Sequence, residues 1–234
     1  MSHTPAVLRR FGICLFAFCC LVFAPCDGFC QTLYLGTDAG PVTPAVANSS
    51  FTSALALFGV DDLESYPGFS LDPTLTFPGT GATAQSDVNF VAAFAALAVS
   101  GTNSLLDAGP ASATEPGIPD WFALNKPVTG FGFYATNVGD SDANTLSLIL
   151  ENTVTASSKT VPVGTFGPGL AFNNRLFIGV TDTDPFNKIT LVESNDFDGV
   201  LLDNITVGFI PEPSSWMLAG LVIAGCGIWW RQGR

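Results

Sequence analysis

The stretch from residue 31 to residue 210 contains no cysteine and no histidine. All six cysteines of this 234-residue chain lie nearer its ends, and the one histidine is His3. The stretch therefore has no Ser-His-Asp triad, no Cys-His pair and no zinc site built from histidine or cysteine. It also has no disulfide, so its fold depends on buried apolar surface, which a chain of this length supplies. The chemistry left open is that of carboxylates, of carboxylate-bound metals, or none.

Basic residues are also scarce in this stretch. Four of them (Lys126, Lys159, Arg175 and Lys188) stand against eighteen acidic residues, which gives a net charge of −14. The negative electrostatic potential of this stretch disfavours nucleic acid and anionic lipid surfaces as partners. Divalent cations, cationic polymers and neutral glycans are better partners. The acidity also keeps an exported domain soluble.

Residues 1–30 predict a secretory signal peptide. Arg9 and Arg10 precede thirteen uncharged residues, 11–23, a run too short to span a bilayer. Small residues that suit cleavage follow near Gly28 and Cys30. A twin-arginine export signal and a lipidated Cys26 are alternatives that the flanking residues fit less well.

The other end of the chain carries a second apolar run. Residues 216–230 hold no charge and have tryptophan at both ends, where indole rings prefer the membrane interface. As a helix this run covers about 22 Å, against roughly 30 Å of bilayer hydrocarbon. Arg231 and Arg234 follow and predict a cytoplasmic C-terminus. The alternative, a buried soluble helix, fits poorly because such a helix is not apolar on every face.

A Pro-Glu-Pro triplet, Pro211-Glu212-Pro213, stands just before this run. The triplet, the apolar run and the terminal Arg231 and Arg234 resemble the tail of the PEP-CTERM family of bacterial exported proteins, whose tail is handled by a membrane enzyme called exosortase. The two arginines are separated by Gln232-Gly233, whereas many members carry a denser arginine cluster.

The resemblance covers about a tenth of the chain and implies that residues 210–234 are a removable sorting signal with a transmembrane helix. It further implies exosortase as a processing partner and transient anchoring in the inner membrane. The destination would be the cell envelope, the cell surface or an exopolysaccharide matrix. A permanent anchor is the alternative.

The exported part, residues 31–209, predicts an antiparallel, jelly-roll-like β-sandwich. Short apolar runs alternate with turn residues, and Leu146, Leu148 and Leu150 alternate with the residues at 145, 147 and 149. The predicted strands are 129–136, 145–151, 176–180, 188–193 and 200–209. Turns are predicted at 139–143, 163–169, 182–185 and 195–199.

Two segments depart from the strand pattern. Asn48-Ser49-Ser50 reads as a helix N-cap before a short helix over 51–59, which Gly59 closes. Residues 87–101 are rich in alanine and suit either a helix or buried strands, with strands favoured. The order of features resembles PEP-CTERM ectodomains with a jelly-roll or carbohydrate-module-like sandwich. The matching pieces are 61–64, 75–77, 101–103, 130–139 and 203–208.

Two acidic groups are candidate Ca²⁺ sites. Asp140, Asp142 and Asn144, with Glu151, follow the 1, 3, 5, 12 spacing of an EF-hand loop, but Thr145 stands where that loop needs glycine. A looser Ca²⁺ site or a solvated turn is therefore favoured there.

The second group follows from the resemblance. In many carbohydrate-module sandwiches the first and last strands lie side by side and share a structural Ca²⁺. A similar fold would bring Glu64 and Asp203 together, with Asp62 beside them. Otherwise these residues are surface acids.

No motif assigns an enzyme. Trp121 is either a core aromatic or a platform for sugar stacking. A glycosidase needs two carboxylates about 5 to 10 Å apart, and eighteen acids single out no pair. The sequence therefore predicts a non-enzymatic exported protein that binds extracellular polysaccharide or Ca²⁺, with no nucleic-acid partner. The alternative is a secreted, carboxylate-dependent glycan hydrolase.

Overall fold

The computed structural model describes residues 31–71, 73–86, 90–106, 120–139, 143–168, 173–194 and 200–211. The predicted signal peptide and residues 212–234 lie outside the described residues. Within them the chain forms one helix and eleven strands. In chain order the elements are β1 (Thr32–Thr37), α1 (Pro44–Ser53), β2 (Leu57–Asp61), β3 (Thr74–Phe77), β4 (Ala82–Ser86), β5 (Phe90–Ala93), β6 (Asn103–Leu106), β7 (Asp120–Thr136), β8 (Asn144–Asn152), β9 (Ser157–Phe166), β10 (Arg175–Glu193) and β11 (Leu201–Phe209).

Two long strands, β7 and β10, run through both layers of an antiparallel β-sandwich. Residues 130–136 of β7 lie between β11 and residues 175–181 of β10, and β1 pairs with the far edge of β10. Residues 122–124 of β7 lie between β4 and the second part of β10, which continues to β8 and β9. Register shifts in β10 between residues 181 and 188 mark the passage from one layer to the other. The predicted sandwich is confirmed.

Strand β11 lies inside its layer. One edge of β11 pairs with β7, and the other edge pairs with β2 and β6. Strand β5 extends the layer beyond β6, and β3 pairs with β4 in the other layer. The last strand of the domain is therefore held on both sides.

Alternating apolar side chains fill the space between the layers. Leu146, Leu148 and Leu150 of β8 are all buried there, as their alternation predicts. Both layers contribute large core side chains: Phe122, Phe131, Phe133, Ile178, Ile189 and Leu191. This single core is what replaces disulfides in the described domain.

Helix α1 packs on the outer face of the first layer. Its Phe51 is fully buried, with ring centroids 5.6 Å from Tyr34 and 5.7 Å from Phe177. The sheet beneath presents Gly132 and Gly179. A Cβ added at either glycine would lie 3.0 Å from the Phe51 ring, so the ring sits directly on the backbone of β7 and β10. Glycine is required here by close approach.

The predicted helix over 51–59 is wrong in its boundaries. The helix begins at Pro44, with Thr43 as N-cap, and ends at Ser53. Proline suits the first helical position because its missing N–H needs no partner there. Residues 57–61 form β2 instead, because pairing with β11 outweighs their helical spacing.

Strand boundaries differ from the predictions in two other places. The runs 176–180 and 188–193 belong to one strand, β10, and the acidic segment 182–185 predicted as a turn continues that strand. Strand β9 reaches Phe166, past the start of the turn predicted at 163. In the alanine-rich segment, residues 90–93 form a strand as favoured, whereas residues 95–97 form a turn.

No helix among the described residues is long and apolar enough to cross a membrane. The predicted span 216–230 lies beyond them.

Candidate functional site

Asp203 of β11 binds the loop of residues 99–103 and is almost fully buried. Its Oδ2 accepts the N–H groups of Val99 at 2.6 Å and Ser100 at 2.9 Å. Its Oδ1 accepts the N–H of Asn204 at 2.6 Å and the Ser100 hydroxyl at 3.4 Å. Burial raises the pKa of the Asp203 carboxyl, and these hydrogen bonds oppose part of the rise.

Glu64, which follows β2, binds the other end of the same loop. Its Oε1 accepts the N–H groups of Thr102 and Asn103, both at 2.8 Å, and its Oε2 accepts the Thr102 hydroxyl at 3.3 Å. The Asn103 N–H is the main cause that lowers the pKa of Glu64. Gly101, at φ +54°, leaves the space that this carboxylate occupies, since a Cβ there would collide with it.

The structure thus brings the two predicted calcium ligands Glu64 and Asp203 to one loop. Their oxygens accept hydrogen bonds from N–H and O–H donors of that loop. Asp62 accepts only the Glu64 N–H, at 3.2 Å. Among the described residues no group of three or more histidine, cysteine, aspartate or glutamate side chains is placed to hold a metal ion. Calcium at Glu64 and Asp203 stays a prediction.

The EF-hand-like candidate is only partly described. Asp140 and Asp142 lie outside the described residues. Glu151 of β8 forms a salt bridge of 2.9 Å with Lys188. The Asn144 side-chain amide donates to Glu193 at 2.9 Å. The described members of this candidate therefore have protein partners, and calcium at Asp140 and Asp142 also stays a prediction.

Asp61, at the end of β2, is buried like Asp203 and was not singled out by sequence reasoning. It accepts the N–H groups of Leu63 at 3.0 Å and Thr76 at 2.6 Å, and the Tyr66 hydroxyl at 2.8 Å. Burial, together with the bond to this carboxylate, raises the pKa of Tyr66. In the sequence, Asp61 is marked only as an acidic residue that directly follows a short apolar run.

Lys159 joins the two acids of the bent segment of β10. Its ammonium lies 3.0 Å from both oxygens of Asp182, which is buried, and 2.8 Å from Asp184, which is half exposed. Although burial works against it, these two carboxylates raise the pKa of Lys159. Asp182 and Asp184 are therefore both ion-paired with Lys159.

A polar cleft lies where β1 ends and β10 begins, and we call it the Arg175 cleft. Its volume is about 540 Å³. Two hydrogen bonds between Asp38 and Arg175 connect the two strands there. The Asp38 N–H donates to the Arg175 carbonyl at 3.2 Å, and the Arg175 N–H donates to Asp38 Oδ2 at 3.0 Å. The lining also includes Thr165, Phe166, Asn173 and Asn174.

The Arg175 cleft contains polar atoms that have no partner within the described part of the chain. The Asn174 amide nitrogen donates to the Val138 carbonyl at 3.1 Å, but its oxygen is buried and accepts no hydrogen bond. The exposed Arg175 guanidinium forms no salt bridge with any described residue. By contrast, Lys126 donates to the Thr80 carbonyl and lies over the Phe209 ring. Sequence reasoning did not single out this cleft.

The end of β11 is fixed just before the Pro-Glu-Pro triplet. The Ile210 N–H donates to the Thr129 hydroxyl at 2.7 Å, and the Lys126 ammonium lies 5.2 Å from the centre of the Phe209 ring. Described structure therefore continues to Pro211, the first residue of the triplet.

No family model matches this chain, and no curated protein matches it. Among solved structures it is similar to the CBM22-1 xylan-binding domain of Paenibacillus barcinonensis Xyn10C. The identity is 14% and the TM-score 0.40, over 68% of this chain and 96% of that one.

Two other structures are similar to the same extent. The C-terminal family 22 carbohydrate-binding module of Clostridium thermocellum Xyn10B has 13% identity and a TM-score of 0.37, over 67% of this chain and 95% of that one. The K2 cleaved adhesin domain of Lys-gingipain has 12% identity and a TM-score of 0.38, over 66% and 99%. At these values the likeness is one of general β-architecture and carries no conclusion about ligands.

Proposed function

We propose that this chain is an exported protein of the cell surface or extracellular matrix, sorted through its C-terminal PEP-CTERM signal, that acts by binding rather than by catalysis. The observation that supports this best is the position of β11. That strand is paired on both edges and ends at Phe209, two residues before Pro211. Cleavage within or after the triplet leaves every described strand intact.

The spacing of the tail suits a membrane enzyme such as exosortase. Trp216, where the apolar run begins, lies five positions after Pro211. Fully extended, this stretch spans at most about 17 Å. A triplet this close to the bilayer lies within reach of an enzyme embedded there, while the folded domain stays outside.

The contacts of five described carboxylates count against a hydrolase. Asp61, Glu64 and Asp203 hold backbone N–H groups, and Asp182 and Asp184 hold Lys159. A glycan hydrolase needs two carboxylates that face a substrate across a cleft. These acids instead contact the protein itself. A polysaccharide partner would be neutral, because the exported stretch carries a net charge of −14.

Mass spectrometry of the mature C-terminus tests the sorting proposal. The full chain is expressed in a Gram-negative host that has exosortase and in a matched strain without it. We expect a C-terminus near the triplet in the first strain and an intact Arg234 in the second. Glu212→Ala should slow the cleavage, whereas Glu115→Ala, the same change at another Glu-Pro pair, should not.

Two results would contradict the proposal. Retention of Arg234 in both strains would make the tail a permanent anchor. Turnover of a polysaccharide by the purified protein, lost on a single Asp or Glu substitution, would favour the hydrolase.

A further inference from the structure

We propose that the Arg175 cleft binds a segment of a neutral polysaccharide through its hydroxyl groups. This inference deepens the proposed function and rests on it, since it names the site and the ligand class of the binding role.

The unused polar groups of the cleft require both a donor and an acceptor. The Asn174 oxygen is a buried acceptor that needs a hydrogen-bond donor. The Arg175 guanidinium offers only donors, and the Asp38 carboxylate only accepts. A simple anion would satisfy Arg175 and leave the Asn174 oxygen without a donor, and a simple cation would leave the Arg175 guanidinium without an acceptor. A hydroxyl group donates and accepts, so neighbouring hydroxyls of a sugar satisfy all three side chains.

The cleft also has the size and walls that a sugar chain requires. Its volume of about 540 Å³ falls in the usual range for small-ligand sites, about 300–1,000 Å³. Phe166, which is 8% exposed, gives the cleft a small apolar surface beside the polar groups. The C–H faces of sugar rings pack against such surface.

The cleft is held in shape before any ligand arrives. The two backbone-directed hydrogen bonds between Asp38 and Arg175 fix the end of β1 against the start of β10, and the bond from Asn174 to the Val138 carbonyl fixes its amide. A site that is already ordered loses less entropy on binding. The charge of the domain favours neutral over acidic polysaccharides, because a net charge of −14 repels polyuronates.

Titration calorimetry with the mature protein tests the site. The probes are xylohexaose, mannohexaose and cellohexaose, with polygalacturonate as the charged comparison. We expect at least one neutral hexasaccharide to bind, and Arg175→Met and Asn174→Ala each to weaken it about tenfold or more. The matched control is Lys188→Met, which removes the same charge from the Glu151 salt bridge and should leave affinity unchanged.

The other outcomes overturn the inference in distinguishable ways. Binding that survives both Arg175→Met and Asn174→Ala would place the glycan elsewhere on the domain. A preference for polygalacturonate would contradict the neutral ligand. No binding to any of the three hexasaccharides would refute the cleft, while cleavage of the tail, measured separately, would still support sorting. Because Arg175 is exposed, its variant keeps the fold and the readout stays clear.

Discussion

The 99–103 loop and the Arg175 cleft both gather polar side chains, but they use them differently. At the loop, each carboxylate oxygen of Glu64 and Asp203 accepts at least one hydrogen bond. At the cleft, the Asn174 oxygen and the Arg175 guanidinium have no such bond with the described residues. The hydrogen bonds at the loop stabilise the fold, whereas the polar groups of the cleft are left for a ligand.

This difference indicates which polar groups could contact a ligand in a domain that has many acidic residues. A buried polar atom without a partner costs about 1–3 kcal/mol. The domain bears that cost at Asn174 and avoids it at Asp203, where four donors surround the carboxylate. Groups that are already satisfied are poor ligands for anything else.

The largest effect is expected for Asp203→Ala. This change leaves the N–H groups of Val99, Ser100 and Asn204 without their acceptor in a buried place. We expect the free energy of unfolding, measured in urea, to fall by about 3 kcal/mol. Asp62→Ala is the control, because Asp62 is exposed and accepts a single N–H. Equal losses in the two variants would remove the distinction between loop and surface acids.

A smaller effect is expected for Lys159→Met. Asp182 would then be buried without its cation, and we expect a loss of about 2 kcal/mol in the free energy of unfolding. Arg175→Met removes the same charge where no carboxylate depends on it and should change stability by less than about 0.5 kcal/mol. Thermal or urea unfolding of both variants gives the comparison. A loss at Arg175 as large as that at Lys159 would mean that the cleft holds the fold.

The smallest effect is a pH dependence at Glu64. Its pKa lies below the ordinary 4.5, so its contribution to stability is present above that value and is lost as the pH falls through the lower folded-state pKa. The gap in unfolding free energy between wild type and Glu64→Gln should therefore be constant down to about pH 5 and shrink in more acidic buffer. A gap that widens on acidification would contradict this.

The same two proteins test calcium. A Ca²⁺ ion bound through Glu64 would raise the melting temperature of the wild type more than that of Glu64→Gln. Equal melting temperatures in calcium and in EDTA for both proteins would contradict the predicted site. A selective rise in the wild type would establish the predicted site.

The sequence predicts the sandwich because several strands carry a clear local pattern. The alternating leucines of β8 and the apolar run of β11 are strands where they were expected. The acidic segment 182–185 reads as a turn, yet it continues β10, where Lys159 of β9 neutralises the buried Asp182. That contact is long-range, and no local pattern encodes it.

The site was less accessible to sequence reasoning. Glu64 and Asp203 were named as candidates, but the N–H groups that they accept belong to a loop far from both in sequence. Asp38 and Arg175 are separated by 137 positions, so only the pairing of β1 with β10 brings them together. The one local signal was a lone arginine in an acidic domain.

The placement of β11 has a mechanical consequence. When the tail is held at the envelope and the domain is drawn outward, the pull runs along β11 from its C-terminal end. β11 is hydrogen-bonded to β7 on one edge and to β2 on the other. Under such a pull the backbone hydrogen bonds on both edges must break together instead of one at a time. A terminal strand at a sheet edge would peel away under load, whereas a strand that is paired on both edges resists it.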